Sequence, residues 1–367
     1  MTNKRIHLAV TNDLVHDRRM ARICTALAGG GYDVTLIGRR LPESKPFHAE
    51  AFKGVRLNCL FRRGPLFYAE YNIRLAWWMI RHRADIRCAC DLDTAPAVRV
   101  AAWLSRSRTV YDAHEYFTGV PELTGRPVVR AIWARIARWT IPGFDLRYTV
   151  GEELATRMSR EYGCTFHVIR NIAPAPPEPL PVPGFGERDK ILLYQGAINV
   201  GRGLHTAIEA MKALPDWQLW LAGEGDIDHE LKVHARACGV SDRVRFLGWV
   251  APPDLPALMR KARLAINLRE AGSINDYYSL PNKFFDALQA GLPSIHMRYP
   301  EYVAVSRRFD CAVLIDVVNP DEVAHAVLSV GEDPARWSAL ASESLRAAAE
   351  YTWEKESATL RALYSTL

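Results

Sequence analysis

The sequence predicts an α/β protein with two doubly wound parallel sheets, one in each half of the chain. Strand and helix patterns alternate in two series, a proline-rich stretch separates the series, and 367 residues exceed what one ordinary core fills.

The first series opens with Arg5 to Thr11, which reads as a buried strand. Arg18 to Gly29 follows as a helix whose Met20, Ile23, Cys24 and Leu27 share one face. Gly29, Gly30 and Gly31 stop it, and Tyr32 to Gly38 supplies a second strand. Sheets of this kind bind ligands beyond the carboxyl ends of their strands. Asn12 and Asp13 follow the first strand directly and are candidates by position, the competing reading being an Asx-type cap for the next helix.

Tyr68 to Arg83 and Val128 to Trp139 read as helices that mix Trp77, Trp78 and Trp133 with arginines. Such helices suit peripheral contact with an anionic membrane surface. Ordinary surface helices with arginine stems laid along them and tryptophans turned inward have the same pattern. Between the two helices, Thr109 to Asp112 reads as a strand, with Ala113, His114 and Glu115 at its carboxyl end. His114 and Glu115 are candidates for acid or base work there, although a lone histidine is more often structural.

Ala173 to Gly186, A-P-A-P-P-E-P-L-P-V-P-G-F-G, is the expected linker, because proline forbids regular structure and stiffens the chain. Domains are therefore expected at 1–172 and 187–350, with 351–367 an amphipathic terminal helix. The second series runs from strand Ile191 to Gln195 through helix Gly203 to Leu214, strand Trp217 to Ala222, helix Ile227 to Cys238 and strand Val244 to Leu247. Helix Pro253 to Lys261, strand Leu264 to Leu268, a helix within Ser279 to Pro293, strand Ser294 to His296 and helix Pro320 to Val330 complete it. Glycines at 196, 223, 225 and 248 mark strand ends where backbone turns sharply or approaches something closely.

With 49% hydrophobic and 24% charged residues, the chain is neither disordered nor fibrous. Its net charge of +6 is a mild excess that suits anionic partners without naming one. The seven cysteines are scattered without a C-x-x-C pair, which argues against a zinc site or a disulfide framework and suits a reducing cytoplasm. The start M-T-N-K-R-I-H-L-A-V lacks the apolar core of a signal peptide, and no run approaches the roughly 18 apolar residues of a spanning helix.

The stretch S-L-P-N-K-F-F-D-A-L-Q-A-G-L-P carries the clearest chemistry. Pro281 suits a first helical turn, Phe284, Phe285 and Leu288 form an inward face, and Gly291 and Pro293 end the helix. Asn282, Lys283 and Asp286 stand three or four residues apart, on one face near the amino end. Orphan N–H groups, the helix dipole and Lys283 favour a phosphate there, while Asp286 one turn below is placed to accept hydrogen bonds from hydroxyls. Phosphate above a diol suggests a nucleotide; the alternative is an amphipathic helix with a solvated polar edge. The loop Q-G-A-I-N-V-G-R-G sets Arg202 between Gly201 and Gly203. It matches neither the dinucleotide fingerprint nor the Walker pattern, but an arginine there can fork onto a diphosphate.

Taken together, Y-Q-G-A-I-N-V-G-R-G-L, L-A-G-E-G, R-V-R-F-L-G-W-V and L-P-N-K-F-F-D-A-L-Q-A-G-L-P resemble the retaining, nucleotide-sugar-dependent glycosyltransferases of the GT-B fold, in particular family four. V-Y-D-A-H-E-Y-F, D-L-D-T-A-P-A and D-L-V-H-D-R-R resemble one branch of that group. The resemblance implies two Rossmann-like domains facing across a cleft, donor in the second and acceptor on the first, with the terminal helix crossing back to the first. It implies donor contacts from Arg202 and Asp286, base reading along Val244 to Gly248 (Val244 and Phe246), and catalysis near His114, with Glu115 next to it; Gly196, Ser279, Asn282 and Lys283 are donor-side candidates by their positions in the loop and helix. Asn12 and Asp13 would lie on the acceptor side.

Two positions depart from the family pattern. Tyr278 stands where the first of two glutamates is usual, and Ala197 replaces a second basic residue of the diphosphate loop, a charge that Lys283 is placed to restore. No metal and no cofactor beyond the nucleotide sugar is implied, since the D-L-D at Asp91 to Asp93 lies in the first half, away from the donor residues. The expected partners are a nucleotide sugar and a glycan or lipid-linked acceptor, not nucleic acid, in the cytoplasm or on the inner face of the membrane. The rival readings are a nucleotide-sugar epimerase of the same fold and a non-catalytic protein that binds nucleotide or a membrane surface.

Overall fold

The computed structural model describes residues 3–15, 17–123, 125–174, 182–270 and 272–367. His16 and half of the expected linker, 175–181, lie outside the described residues. The chain divides into two compact units, Met1–Asn171 with Glu354–Leu367, and Ile172–Trp353.

The first domain runs β1 (Arg5–Ala9), α1 (Arg18–Gly29), β2 (Asp33–Arg40), β3 (Lys53–Asn58), α2 (Gly64–Arg81), β4 (Ile86–Cys90), α3 (Ala95–Ser105), β5 (Arg108–Ala113), α4 (Pro127–Thr140), β6 (Leu146–Thr149), α5 (Glu152–Tyr162) and β7 (His167–Val168). Its seven strands are ordered β3-β2-β1-β4-β5-β6-β7, and every pairing is parallel. The chain walks outward from β1 to β3, then returns to β4 on the other side of β1. The switch point is therefore the β1/β4 crevice.

The second domain runs β8 (Asp189–Gln195), α6 (Leu204–Ala210), β9 (Gln218–Ala222), α7 (Asp228–Ala237), β10 (Val244–Gly248), α8 (Leu255–Lys261), β11 (Ala262–Asn267), α9 (Ile274–Tyr277), α10 (Asn282–Gln289), β12 (Ser294–Met297), α11 (Pro300–Ser306), β13 (Ala312–Ile315), α12 (Pro320–Gly331) and α13 (Pro334–Glu350). Its parallel strands are ordered β10-β9-β8-β11-β12-β13, which puts the switch point between β8 and β11. The last helix, α14 (Trp353–Ser365), packs in the first unit almost throughout. Its Glu356 accepts the Arg170 backbone N–H at 2.9 Å, and its Leu360 and Tyr364 are fully buried.

Several elements give no clear pattern in the sequence. β4 reads I-R-C-A-C, with an arginine in the middle of a strand that is buried throughout. α3, A-P-A-V-R-V-A-A-W-L-S, has no polar face to set a period. β7 is two residues long and β13 four. The helix expected within Ser279 to Pro293, with Pro281 in its first turn, begins at Asn282 with Pro281 as its N-cap, after a separate short helix α9.

Arg87 explains why β4 tolerates a charge. Its guanidinium donates to the carbonyls of Met79 (2.7 Å) and His82 (3.2 Å) at the end of α2, and of Ala101 (2.8 Å) near the end of α3. Both helices point their negative ends at it. The second domain repeats the device with Arg188, which donates to Met259 (2.6 Å) and Ala262 (2.9 Å) at the end of α8 and to Ala290 (2.9 Å) at the end of α10. Burial pulls each guanidinium down to about 10, so both remain charged at neutral pH.

Arg87→Leu and Arg188→Leu should each cost about 3 kcal/mol, because a buried carbonyl left without its donor loses about 1 to 3 kcal/mol. Urea denaturation would show it, and a midpoint equal to wild type for Arg188→Leu would remove this arginine as the anchor of α10.

Candidate functional site

In the second domain the switch point is built from backbone that passes very close to itself. The loop after β8 and the loop after β9 are laced by Gly196 N–H to Ala222 O (2.9 Å) and Ile198 N–H to Glu224 O (3.0 Å). A Cβ on Gly223, whose φ is +153°, would stand 1.9 Å from the Gly196 carbonyl oxygen, so only glycine fits. A Cβ on Gly196 would stand 2.9 Å from Lys283 Nζ. The bare loop thus makes room for the ammonium arriving from α10.

Lys283 Nζ lies 4.4 Å from the centre of the Tyr194 ring, a cation–π contact. Burial, then repulsion from Arg202 and Arg269, pushes its ammonium down to about 7 against the pull of Asp286. Arg202 is lowered by burial and by Arg269. Arg269 is paired with Asp276, but among the described residues neither Arg202 nor Lys283 has an ion pair. Three cations therefore crowd one edge of the sheet against two carboxylates, Asp276 and Asp286, an arrangement that favours an arriving anion.

One turn into α10, Asp286 accepts Gln195 Nε2 at 2.9 Å from the end of β8. Asn282 opens the helix, and Ser279, in the connection before it, donates its hydroxyl to the Asp276 carbonyl of α9 at 2.9 Å. Gly196, Arg202, Lys283 and Asp286 are thus gathered at one place.

The base-reading residues expected on β10 are distributed differently. Val244 is the first residue of that strand, buried against β9, and lies about 13 Å from its carboxyl end at the rise of an extended chain. Phe246 carries the Lys232 ammonium 5.1 Å from its ring centre. The carboxyl end itself presents Gly248, whose carbonyl accepts the Gly223 N–H at 2.8 Å, and the exposed Trp249.

In the first domain His114 follows β5 and lies between two carboxylates. Its Nε2 is 3.2 Å from Asp112 Oδ2 and its Nδ1 is 3.6 Å from Asp91 Oδ2, while its backbone N–H donates to Asp91 Oδ1 at 2.8 Å. Burial alone would lower the imidazole, but Asp112 and Asp91 raise it to about 9. Asp112 goes down to about 2: burial opposes this, but His114 and the Arg19 guanidinium, 3.1 Å away, outweigh it. Burial raises Asp91 to about 7, with His114 acting against the rise, and raises Asp93 to about 6 although Asp93 accepts the Thr11 hydroxyl at 2.6 Å. The histidine is therefore an imidazolium at neutral pH, with both N–H groups aimed at carboxylates. Glu115 is next in the chain, half-buried, and adds negative charge near Asp91 and Asp93.

Asn12 and Asp13 are occupied within their own domain, and Asp13 accepts the Ser44 hydroxyl at 3.4 Å. Asn12 accepts the Leu14 N–H at 2.9 Å and donates to Asp17 at 2.6 Å, and Asp13 accepts the Val15 N–H at 3.3 Å. The cap of α1 is neither of them but Asp17, which accepts the Met20 N–H at 2.9 Å. Cys90, Asp112 and His114 approach within 4.8 Å of one another, a spacing seen in metal sites. Their chemistry is that of an ion pair, since Asp112 is saturated by Arg19 and His114 and burial holds the Cys90 thiol up in its protonated form.

The family profile described as Glycosyl transferases group 1 matches residues 180–352, and the one described as Glycosyltransferase Family 4 matches residues 17–173. The chain is a family 4 glycosyltransferase of the GT-B fold. It is 26% identical over 286 residues to glycogen synthase of Mycobacterium tuberculosis, covering 68% of this chain and 67% of that one. It is 29% identical over 160 residues to the lipopolysaccharide core biosynthesis glycosyltransferase LpsD of Rhizobium meliloti, covering 42% and 44%. The structure of Anabaena HepE in complex with UDP and glucose superposes with a TM-score of 0.73 at 15% identity, covering 100% of both chains.

The activity of this glycosyltransferase is transfer of a sugar from a nucleoside-diphosphate sugar to an acceptor hydroxyl, with retention at the anomeric carbon. Transfer, among the readings weighed from the sequence, is the one that stands. Among the described residues no helix is long and apolar enough to cross a membrane. Sequence reasoning missed Arg269, Asp91, Asp112 and Arg19. Arg269 follows β11 almost directly, so the rule that singled out His114 would have found it; Asp112 sits inside a strand and Arg19 inside a helix, and only packing brings them together.

Asp112→Asn should lower the His114 pKa by more than one unit, since one unit corresponds to about 1.4 kcal/mol and a direct ion pair exceeds that. An NMR titration of the imidazole reads it directly, and an unchanged value would mean that Asp112 does not hold the proton there.

Proposed function

We propose that this glycosyltransferase takes a UDP-sugar as donor and a hydroxyl of a lipid-linked glycan as acceptor, in the cytoplasm at the inner face of a membrane. The observation that carries the donor half is the gathering of Arg202, Arg269 and Lys283 around the amino end of α10, above Asp286. The uridine base and the glycan acceptor are supported by the UDP complex of HepE and the lipopolysaccharide role of LpsD.

In this reading the diphosphate lies against the α10 amino end and the Gly196 loop, where Arg202, Lys283 and Arg269 balance the charge that develops as it leaves. Asp286 holds the ribose hydroxyls, and Ser279 and Asn282 flank the phosphates. The bond from the anomeric carbon to the phosphate oxygen breaks. The acceptor oxygen forms its bond on the same face, and its proton passes to the departing phosphate oxygen. His114, already protonated and with both N–H groups aimed at Asp91 and Asp112, does not take that proton; it holds those carboxylates in place on the acceptor side, with Glu115 beside it on the acceptor hydroxyls. Tyr278 leaves the first-glutamate place without a carboxylate, and Asp276, two residues earlier, is committed to Arg269 and to Ser273, which donates to it at 2.8 Å.

Calorimetry with UDP, GDP and ADP tests the donor. UDP should bind most tightly, and Arg202→Ala or Asp286→Ala should weaken it about 10- to 100-fold, the range of a lost charge-assisted hydrogen bond. Equal affinity for all three nucleotides would sink the uridine assignment.

The pH dependence has a definite sign. A bound diphosphate raises the lowered Lys283 pKa, so binding takes up a proton above about pH 7 and weakens as pH rises, while below 7 the lysine is charged before and after. UDP affinity should therefore be flat below pH 7 and fall by up to about tenfold per unit above it, and Lys283→Met should abolish the slope. A wild-type profile flat from pH 6 to 9 would exclude the lysine from the diphosphate site.

A further inference from the structure

We infer that α6 and α7 carry a surface site for a divalent transition metal of the zinc kind, made by His205, Glu209, Glu230 and His234. The chain walks in one direction from β8 through β9 to β10, so right-handed crossovers lay α6 and α7 side by side and parallel on one face of the sheet. α6 carries H-T-A-I-E from 205 to 209, and α7 carries E-L-K-V-H from 230 to 234. Residues four apart share a helical face, and the reversed order of the two segments sets each histidine against the glutamate of the other helix.

The contacts follow that arrangement. His205 Nε2 lies 2.9 Å from Glu230 Oε1, His234 Nε2 lies 3.0 Å from Glu209 Oε1, and the two imidazoles pack edge to face with centres 5.1 Å apart. Two ligands about 2.0 to 2.1 Å from a tetrahedral zinc ion stand roughly 3.3 Å from each other, so each pair is within about half an ångström of a chelating bite. Cys238, one turn further along α7, brings its Sγ to 3.7 Å from His234 Nε2. The quartet stands open, since among the described residues only Cys90, Asp112 and His114 have three ligand atoms within 4.8 Å of one another. Its side chains are 27% to 63% exposed and able to turn, so the two pairs close on one ion while the helices stay in place.

Charge and ligand type select the occupant. With neutral imidazoles the quartet carries the charge of two carboxylates, and Lys232, between Glu230 and His234 on α7, is committed to Asp228 at 2.5 Å and to the Phe246 ring. A dication balances the two carboxylates, each imidazole offering Nε2 and keeping its proton on Nδ1. Imidazole with carboxylate suits zinc and its neighbours, whereas magnesium and calcium take oxygen ligands. Exposed ion pairs add little to stability, so the fold itself gives no reason for two of them crossed on one seam.

The position gives the site a consequence. α6 begins just after Arg202, and the loops leading into α6 and α7 are laced by Ile198 N–H to Glu224 O and by Ile227 N–H to Ile198 O at 3.3 Å. An ion across α6 and α7 therefore pins the loop that carries Arg202 without touching the reacting groups.

The test uses the full chain without a histidine tag, stripped with a chelator. It needs neither donor nor turnover, so its failure is separate from failure of the donor assignment. Calorimetric titration with zinc chloride should give one ion per chain, cobalt(II) in its place should show the visible bands of a four-coordinate ion, and zinc should raise the melting temperature. The double variant His205→Gln, His234→Gln should melt with wild type in the absence of metal and weaken zinc more than about a hundredfold, since loss of a mere supporting partner already costs about 10- to 100-fold. The double variant Glu209→Gln, Glu230→Gln should weaken it at least about tenfold. Zinc binding unchanged in either double variant, or no zinc bound by wild type, overturns the proposal. So does binding that His114→Gln abolishes, which would place the ion with Cys90 and Asp112 in the first domain.

Discussion

Parallel strand pairing with right-handed crossovers is the constraint on which the rest of this structure depends. It aligns the carboxyl ends of all strands along one edge of each sheet, and it lets the strand order reverse once, leaving a crevice there. In the first domain the β1/β4 crevice holds Thr11 against Asp93, with Asp91 and His114 beside it. In the second, the β8/β11 crevice holds the Gly196 loop, and Arg269 and the amino end of α10 belong to the same edge. Polar and charged side chains gather in these loops because the faces of both sheets are filled by helices.

The two crevices handle charge in opposite ways. His114 is held by Asp112 and Asp91, and Asp112 in turn by Arg19, so its ring orientation and protonation are set before any substrate arrives. Arg202, Arg269 and Lys283 instead stand close together at a cost that a bound diphosphate would relieve. The folded protein carries that cost because anchors elsewhere hold the elements in place. Arg188 binds the far end of α10, and Gln195 binds Asp286 near its start, so the helix that delivers Lys283 is fixed at both ends.

Much of this was legible in the chain. The alternation of apolar strands with amphipathic helices, the proline-rich stretch and the motif from Ser279 to Pro293 determined the fold class, the division into two halves and the placement of Lys283 above Asp286 on one helical face. These are properties of local period and spacing, which a one-dimensional sequence records in full. The limits have the same origin. β4 is hidden by Arg87, whose charge makes sense only once the ends of α2 and α3 are seen to converge on it. Trp103 lies in a helix with no polar face, so nothing in its own segment says that it faces water.

By itself the sequence determined most of the strands and helices, which family the chain resembles and where the helix that carries Lys283 and Asp286 lies. Only the tertiary structure decided that Asn12 and Asp13 accept N–H groups two residues ahead of them, that Val244 is buried, and that Arg269 joins Arg202 and Lys283. It also decided that His114 is an imidazolium, because its partner Asp112 lies on β5 and its partner Asp91 directly follows the neighbouring strand β4. Charge state depends on distances between groups remote in the chain and on their shared burial, and neither exists until the sheets close.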